Sequence, residues 1–187
     1  MADQSPWIRA EMGGTKQASL ISKPEILMAL LKKSRRPLFI IGYESISPGI
    51  RNEMLIRLAT VLQKTEQIPV LSTAHIAGGL ISRGFTPDAA LGSMEIISRL
   101  CDSAWKGLDG KGQYNLILIG GFSYTLGSLL LSGLKQGAPG TKVISLDPKY
   151  HPHATWSFAN LKPEAWQTEI ERCIELITRK NMEESHV

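Results

Sequence analysis

Two runs of consecutive apolar residues dominate the hydrophobic pattern of this chain, and each run ends at glycine. The first extends from Leu38 to Gly42 and the second from Leu116 to Gly121. Uninterrupted apolar residues over this length are typical of parallel strands that are buried on both faces. The glycine is expected where the strand passes into a loop. The pattern therefore predicts two central strands of a parallel sheet.

Around these strands the apolar positions recur at helical spacing. Helices are predicted to begin near residues 22, 47, 93, 123 and 163, and further strands are predicted at 68–72, at 142–146 and, as a short edge strand, at 154–158. Residues 74–92, which contain several glycines and a proline, are predicted to be irregular. Strands that alternate with one-sided helices predict an α/β fold, a three-layer α/β/α Rossmann-like parallel sheet.

Local signals refine the helix starts and the domain boundary. Ser22 and Glu25 have the spacing of a capping box, and Ser47-Pro48 supplies a cap followed by a proline in the first turn. Residues 1–20 are predicted to form an irregular N-terminal arm, since Gly13-Gly14 disfavours a helix. Residues 21–187 are then predicted to form a single Rossmann-like α/β domain.

Composition and charge exclude several classes of protein. The net charge of +4 is spread along the chain, and its one dense basic run, residues 32–36, lies at a predicted helix end, where cations complement the helix dipole. No nucleic-acid partner is therefore expected. Two cysteines 72 positions apart cannot form a zinc ribbon. Without a signal peptide or an apolar run of about 20 residues, no membrane association is expected and a cytoplasmic location is predicted.

Candidate binding residues lie where the predicted strands end, because the carboxyl ends of parallel strands share one edge of the sheet. They are Gly42, Tyr43, Thr73, Gly120, Gly121, Phe122, Ser123 and Asp147. Glycine lets backbone amides approach a pyrophosphate, an aspartate can accept from a ribose hydroxyl, and aromatic rings can cover a flavin. The two sharpest phosphate-binding motifs are absent, so the glycines could equally serve only to turn the chain.

The histidines suggest no catalytic or metal centre. His75 follows a strand end without a neighbouring acid or base, and a loop position is the simpler interpretation. His151 and His153 flank a proline without a third ligand, which favours a surface loop. No catalytic residue and no metal ligand is therefore predicted.

The order of these elements resembles the central domain of thiamine diphosphate enzymes. The segments concerned are 37–42, 68–70, 89–92, 116–121 and 143–147. The resemblance implies a DHS-like NAD/FAD-binding domain, a fold group that also includes sirtuins. FAD is the cofactor that this fold analogy suggests, and none is predicted on stronger grounds.

A more specific resemblance covers the chain from about residue 20 onward. The segments that carry it are Ile21–Lys23, Arg36–Gly42, Trp105–Asn115 and Ala154–Leu161. They are similar to the epsilon subunit of the archaeal carbon monoxide dehydrogenase/acetyl-CoA decarbonylase–synthase complex. The Trp-x-Gly-Leu-Asp-Gly-x-Gly-x-Tyr segment is the most specific, because a generic sheet domain does not need it.

This resemblance implies an accessory role. The partner would be a large alpha subunit that carries the Ni-Fe-S and Fe-S clusters of CO oxidation and CO2 reduction, in an alpha-two epsilon-two component. The chain itself would be non-catalytic, stabilising that component or assisting electron transfer to FAD. The alternative is a stand-alone flavin or nucleotide carrier without a fixed metalloenzyme partner. The isolated chain could form a homo-oligomer.

Overall fold

The structure is a computed structural model that describes residues 17–48 and 50–184. Its strands are β1 (Ser19–Leu20), β2 (Pro37–Ile41), β3 (Val70–Thr73), β4 (Ala89–Leu91), β5 (Leu116–Gly120), β6 (Lys142–Ser145) and β7 (Trp156–Ser157). Its helices are α1 (Pro24–Lys33), α2 (Ile50–Thr65), α3 (Ala77–Ile81), α4 (Ser93–Cys101), α5 (Tyr124–Gly137) and α6 (Pro163–Glu184). Short 3₁₀ turns, Tyr43–Ser45 and Ala74–Ile76, follow β2 and β3.

The strands form one parallel sheet in the order β1-β7-β6-β5-β2-β3-β4. From β4 to β7 this is the order of dinucleotide-binding sheets, in which the direction of winding reverses beside the first strand. Here the reversal lies between β2 and β5, which pair from Pro37–Leu116 to Ile41–Gly120. We call the carboxyl end of these two strands the switch point.

Successive residues of the central strands point to opposite faces and enter two separate cores. Phe39 and Ile41 pack with α1, α2 and α6, whereas Leu38 and Ile40 pack with α4 and α5. All four side chains are almost completely buried, as the apolar run predicts. The predicted three-layer α/β/α Rossmann-like parallel sheet is confirmed.

Two predicted helix starts are wrong. Helix α1 begins at Pro24 after Lys23, and no side chain caps it, so the capping box on Ser22 does not form. Proline suits the first helical position, and it fixes the start beyond Ser22. Helix α2 begins at Ile50, because the chain first makes the 3₁₀ turn, and the Ser47 hydroxyl donates to the Tyr43 carbonyl at 3.4 Å.

Residues 74–92 are more regular than the sequence predicts, because they contain α3 and β4. The Asp88 carboxylate accepts a hydrogen bond from the Val70 amide at 2.7 Å. This bond ties the start of β4 to the start of β3. Strand β3 begins at Val70, not at the predicted residue 68. The small residues of β4 give a weak strand signal in the sequence.

The predicted N-terminal arm lies mostly outside the described residues, since the description begins at residue 17. Its last residues form β1, where the Ser19 amide donates to the Thr155 carbonyl at 2.9 Å. The Tyr150 hydroxyl also donates to the Ala18 carbonyl at 2.9 Å. The division into an arm and a domain stays a prediction, with residues 18–20 attached to the sheet edge.

Candidate functional site

The two glycine loops at the switch point are hydrogen-bonded to each other. The Gly42 amide donates to the Gly120 carbonyl at 2.9 Å, and the Glu44 amide donates to the Gly121 carbonyl at 2.7 Å. The residues predicted from the ends of β2 and β5 therefore do come together. What they contact is each other, across the point where a ligand would lie in a dinucleotide-binding sheet.

The Phe122 ring fills the space above Gly42. A Cβ atom added to Gly42 would lie 2.5 Å from the Gly121 carbonyl oxygen and 2.8 Å from the Phe122 ring. Phe122 is only 3% exposed, so its ring is part of the core and does not form the wall of an open pocket. Glycine at position 42 is thus required by the protein's own packing.

Glycine at the other two positions of the switch point is also explained by the backbone and by contacts within the protein. Gly121 has φ +81°, a left-handed conformation that glycine adopts without strain. A Cβ atom on Gly120 would lie 3.2 Å from a methyl carbon of Leu55 and 3.3 Å from Cβ of Leu146. Both residues therefore serve close packing and a tight turn.

Asp147 closes the switch point from the side of β6. Its carboxylate accepts hydrogen bonds from the Gly121 amide at 2.9 Å and from the Phe122 amide at 3.5 Å, and the residue is 4% exposed. Hydrogen bonds to a buried carboxylate are stronger than neutral ones. Asp147 thereby fixes the loop that places the Phe122 ring over Gly42.

A flavin or nucleotide pyrophosphate does not fit the switch point in this conformation. Binding would use free backbone amides, but those of Gly42, Glu44, Gly121 and Phe122 all donate within the protein. The space is occupied by the Phe122 ring. The assignment of these residues to a cofactor therefore stays a prediction.

The other three predicted site residues have different surroundings. Thr73 is buried, and its hydroxyl has no hydrogen-bond partner in the structure. Tyr43 is 56% exposed and stacks on His75, with ring centroids 5.7 Å apart. Ser123 is exposed and precedes α5 without a side-chain capping bond. Sequence reasoning missed the Tyr43–His75 stack, because the two residues follow different strands.

His151 is buried, so the interpretation of a surface loop is wrong for this residue. Its ring stacks on Tyr124 with centroids 4.7 Å apart, and its Nδ1 lies 3.4 Å from the Ser128 hydroxyl. Room for the ring comes from Gly127, where an added Cβ atom would lie 3.1 Å from Cε1 of His151. Burial, together with the nearby His153 and Lys149, lowers the pKa of His151 to about 4. The imidazole is therefore neutral at physiological pH.

The described residues contain no group of three or more His, Cys, Asp and Glu side chains placed to hold a metal ion. Burial raises the pKa of the Cys173 thiol to about 12 and also raises that of Cys101. Neither thiol is thus activated as a nucleophile. Within the same part of the chain, no helix combines the length and the hydropathy that crossing a bilayer would require.

The opposite end of the sheet carries an ordered loop of residues 102–115, which we call the amino-edge loop. Arg36 makes two contacts with the Asp109 carboxylate, at 2.6 and 3.2 Å, and its guanidinium lies 5.2 Å from the centre of the Tyr114 ring. The Tyr114 hydroxyl accepts from the Leu108 amide at 3.1 Å. The sequence predicts a tight turn here from its glycines, but nothing in it indicates that Arg36 is the partner of Asp109.

Comparison with known proteins gives consistent results. Residues 1–173 match the family model described as CO dehydrogenase beta subunit/acetyl-CoA synthase epsilon subunit. The acetyl-CoA decarbonylase/synthase complex subunit epsilon of Methanothermobacter thermautotrophicus is 30% identical over 167 residues, which are 89% of this chain and 92% of that protein. Subunit epsilon 1 of Archaeoglobus fulgidus is 31% identical over 153 residues, covering 81% and 79% of the two chains.

Among solved structures, a Sir2 mutant with a p53 peptide and NAD is similar at a TM-score of 0.46 and 12% identity. The similarity covers 82% of this chain and 98% of the Sir2 chain.

Proposed function

This chain belongs to the CO dehydrogenase beta subunit/acetyl-CoA synthase epsilon subunit family, and we propose that it is the non-catalytic epsilon subunit of an acetyl-CoA decarbonylase/synthase complex. The observation that carries the proposal is the family match, which extends over residues 1–173 and so includes both ends of the sheet. Relatives in two archaea bear the name of this subunit.

In this proposal the chain stabilises the CO dehydrogenase component and leaves the chemistry to its partner. The large alpha subunit holds the Ni-Fe-S and Fe-S clusters, and the component has the composition alpha-two epsilon-two in the cytoplasm. The geometry supports an accessory role, because Phe122 fills the switch point and Asp147 is bonded to backbone amides. A subunit of this kind contributes through its surface.

Assisted electron transfer to FAD is the finer part of the prediction. It requires the switch point to open, since the Phe122 ring occupies it and its amides are bonded internally. Titration of the purified chain with FAD, followed by flavin fluorescence and by hydrogen exchange of residues 42–45 and 120–123, tests this directly. Saturable quenching with changed exchange in these segments supports the flavin role, and unchanged exchange at saturating FAD contradicts it.

The subunit role is tested by anaerobic purification of the tagged full-length chain from its native extract. We expect a large subunit to co-purify with nickel and iron, and the mass of the complex by light scattering to fit two copies of each chain. Recovery of the chain alone and without metal would contradict the proposal. A bound yellow chromophore on that free chain would favour the flavin carrier instead.

A further inference from the structure

We propose that the chain docks onto an acidic patch of its partner subunit through the amino end of the sheet. This inference rests on the proposed function and names the face through which the subunit joins the complex. The residues concerned, which we call the amino-edge surface, are Lys33, Trp105, Lys106, Lys111, Asn115 and Lys142. The partner is recognised by its carboxylates.

The amino-edge loop is longer than its connection requires. Helix α4 ends at Cys101 and β5 begins at Leu116, whereas connections of this type usually need about 2–6 residues. The loop is nevertheless held in place: the Gly112 amide donates to the Lys106 carbonyl at 2.8 Å, and the Gln113 side chain donates to the Asp102 carbonyl at 2.9 Å. Because it is ordered in advance, a partner could bind it with little loss of conformational entropy.

Pairing of Asp109 with Arg36 leaves this loop with a small excess of positive charge. Asp109 is engaged by Arg36 at 2.6 Å, whereas Asp102 accepts from the Ala104 amide at 2.8 Å and is exposed. Lys106 and Lys111 are exposed as well, and they outnumber Asp102. Cations at the end of a helix are explained by the helix dipole, but these two lysines lie in a loop. Attraction of an acidic partner accounts for them.

Two hollows continue this surface across the amino end of the sheet. Lys33, Asn115 and Lys142 line the smaller one, of about 100 Å³. The larger, of about 340 Å³, is also lined by Asn115 and lies beside Ser103 and Gln113. Together with the loop they give a basic, uneven surface into which carboxylate side chains can fit. The half-buried Trp105, 5.9 Å from the Tyr114 ring, supplies the aromatic type of residue that is enriched at the centre of interfaces.

A protein is the favoured occupant, since the relatives of this chain are named as subunits of a complex. Binding of single-stranded nucleic acid would also use lysines, but it relies on aromatic faces that are free to stack on bases. Trp105 packs on Tyr114 and is only half exposed. Nucleic acid is accordingly an outcome that the test must separate from a subunit.

The test is charge reversal in the full-length chain, with the variant Lys106→Glu/Lys111→Glu. Its matched control is Lys23→Glu/Lys162→Glu, which reverses two exposed lysines at the opposite end of the sheet. Affinity for the purified alpha subunit is measured anaerobically at low and high salt, and thermal unfolding checks that both variants fold. We expect binding at least about tenfold weaker for the first variant at low salt, a smaller difference at high salt, and a change within about twofold for the control.

Hydrogen exchange of the complex locates the contact independently. Protection over residues 102–115 supports the inference. Wild-type affinity of the Lys106→Glu/Lys111→Glu variant, or protection at residues 43–48 and 122–124 instead, overturns it and leaves the subunit role intact. Retained subunit binding with loss of binding to a single-stranded RNA also overturns it. If the wild-type chain does not bind the alpha subunit at all, the proposed function itself fails.

Discussion

The switch point and the amino-edge loop, at opposite ends of the sheet, each contain three glycines, but they use their polar groups in opposite ways. At the carboxyl end, the amides around Gly42 and Gly121 bond to carbonyls and to the Asp147 carboxylate, and the Phe122 ring closes the space between them. At the amino end, Gly107, Gly110 and Gly112 form an exposed loop with positive φ angles, whose lysines face solvent.

This difference shows that the strand order of a ligand crevice does not by itself leave the crevice open. The switch point has the topology of a ligand crevice, yet its residues are engaged in holding the fold together. The amino end, which in such sheets usually only connects elements, carries the longer and more elaborately bonded loop. Substitutions at the carboxyl end are therefore expected to change stability, and those on the amino-edge surface are expected to change association.

The largest effect is expected from Phe122→Ala. Removing a buried ring leaves a cavity above Gly42, so the free energy of unfolding should fall by about 4 kcal/mol. Urea unfolding measures it, and Leu129→Ala, at a 58% exposed position on α5, is the control expected to stay within about 0.5 kcal/mol. A loss as small as that of the control would mean that the switch point is not closed by this ring.

Gly42→Ala adds atoms where Phe122→Ala removes them. The new methyl group would meet the Gly121 carbonyl and the Phe122 ring, and we expect a loss of about 3 kcal/mol from overpacking. Gly78→Ala in α3 is the matched control, because nothing lies within 4 Å of the added methyl group. That control should be neutral or slightly stabilising, since alanine favours helices. Equal stability of both variants in urea would contradict the observed packing.

A dependence on pH should arise from His151, also at the carboxyl end. Its pKa is about 4 in the folded chain, below the ordinary 6.5, so the unfolded chain binds the proton more tightly. Stability is therefore lost as pH falls through this window, by about 2 kcal/mol between pH 7 and pH 5. Urea unfolding at the two pH values should show a smaller difference for His151→Gln. An identical pH dependence in that variant would show that the imidazole is not buried as described.

The smallest effect on stability is expected at the amino end, from Asp109→Asn. The Arg36–Asp109 pair holds the pKa of Asp109 at about 2, so it stabilises the fold above the ordinary pKa of 3.8 and ceases to do so as pH falls toward 2. The pair is exposed and screened by water, so only a slight, salt-sensitive fall in melting temperature is expected. Glu95→Gln, which breaks the exposed Arg99–Glu95 pair, is the control. A melting temperature as low as that of Phe122→Ala would show that this loop is part of the stable core.

The sequence was sufficient for the central strands of the sheet, because their signals are local. The apolar runs of β2 and β5 predict buried parallel strands at the correct residues, and the helical spacing from Ser93 correctly places the start of α4. Helix starts were harder to predict, since Ser22 and Ser47 match capping patterns that do not form: α1 begins at Pro24, and a 3₁₀ turn precedes α2. The three small residues of β4 carry too little β-propensity to stand out.

The candidate site could be predicted only in part, because the arrangement of its side chains depends on contacts between loops that are far apart in the chain. That Gly42 and Gly121 would meet follows from the predicted parallel sheet. That Phe122 would lie against Gly42, and not over a bound flavin, depends on the orientation of one ring. The pairing of Arg36 with Asp109 likewise joins residues 73 positions apart, for which a single sequence holds no signal.

The edge strand β1 can pair only late in the synthesis of this protein. Ser19 pairs with Trp156, and Leu20 pairs with Ser157, so a strand near the start of the chain completes the sheet beside one near its end. On the ribosome this edge cannot close until residue 157 has left the exit tunnel. Until then Ser19 and Leu20 have no strand partner. Afterwards β1, which is only two residues long, pairs along the outer edge of β7. A chain truncated before β7 would thus lose the last strand and also the place where its first strand is held.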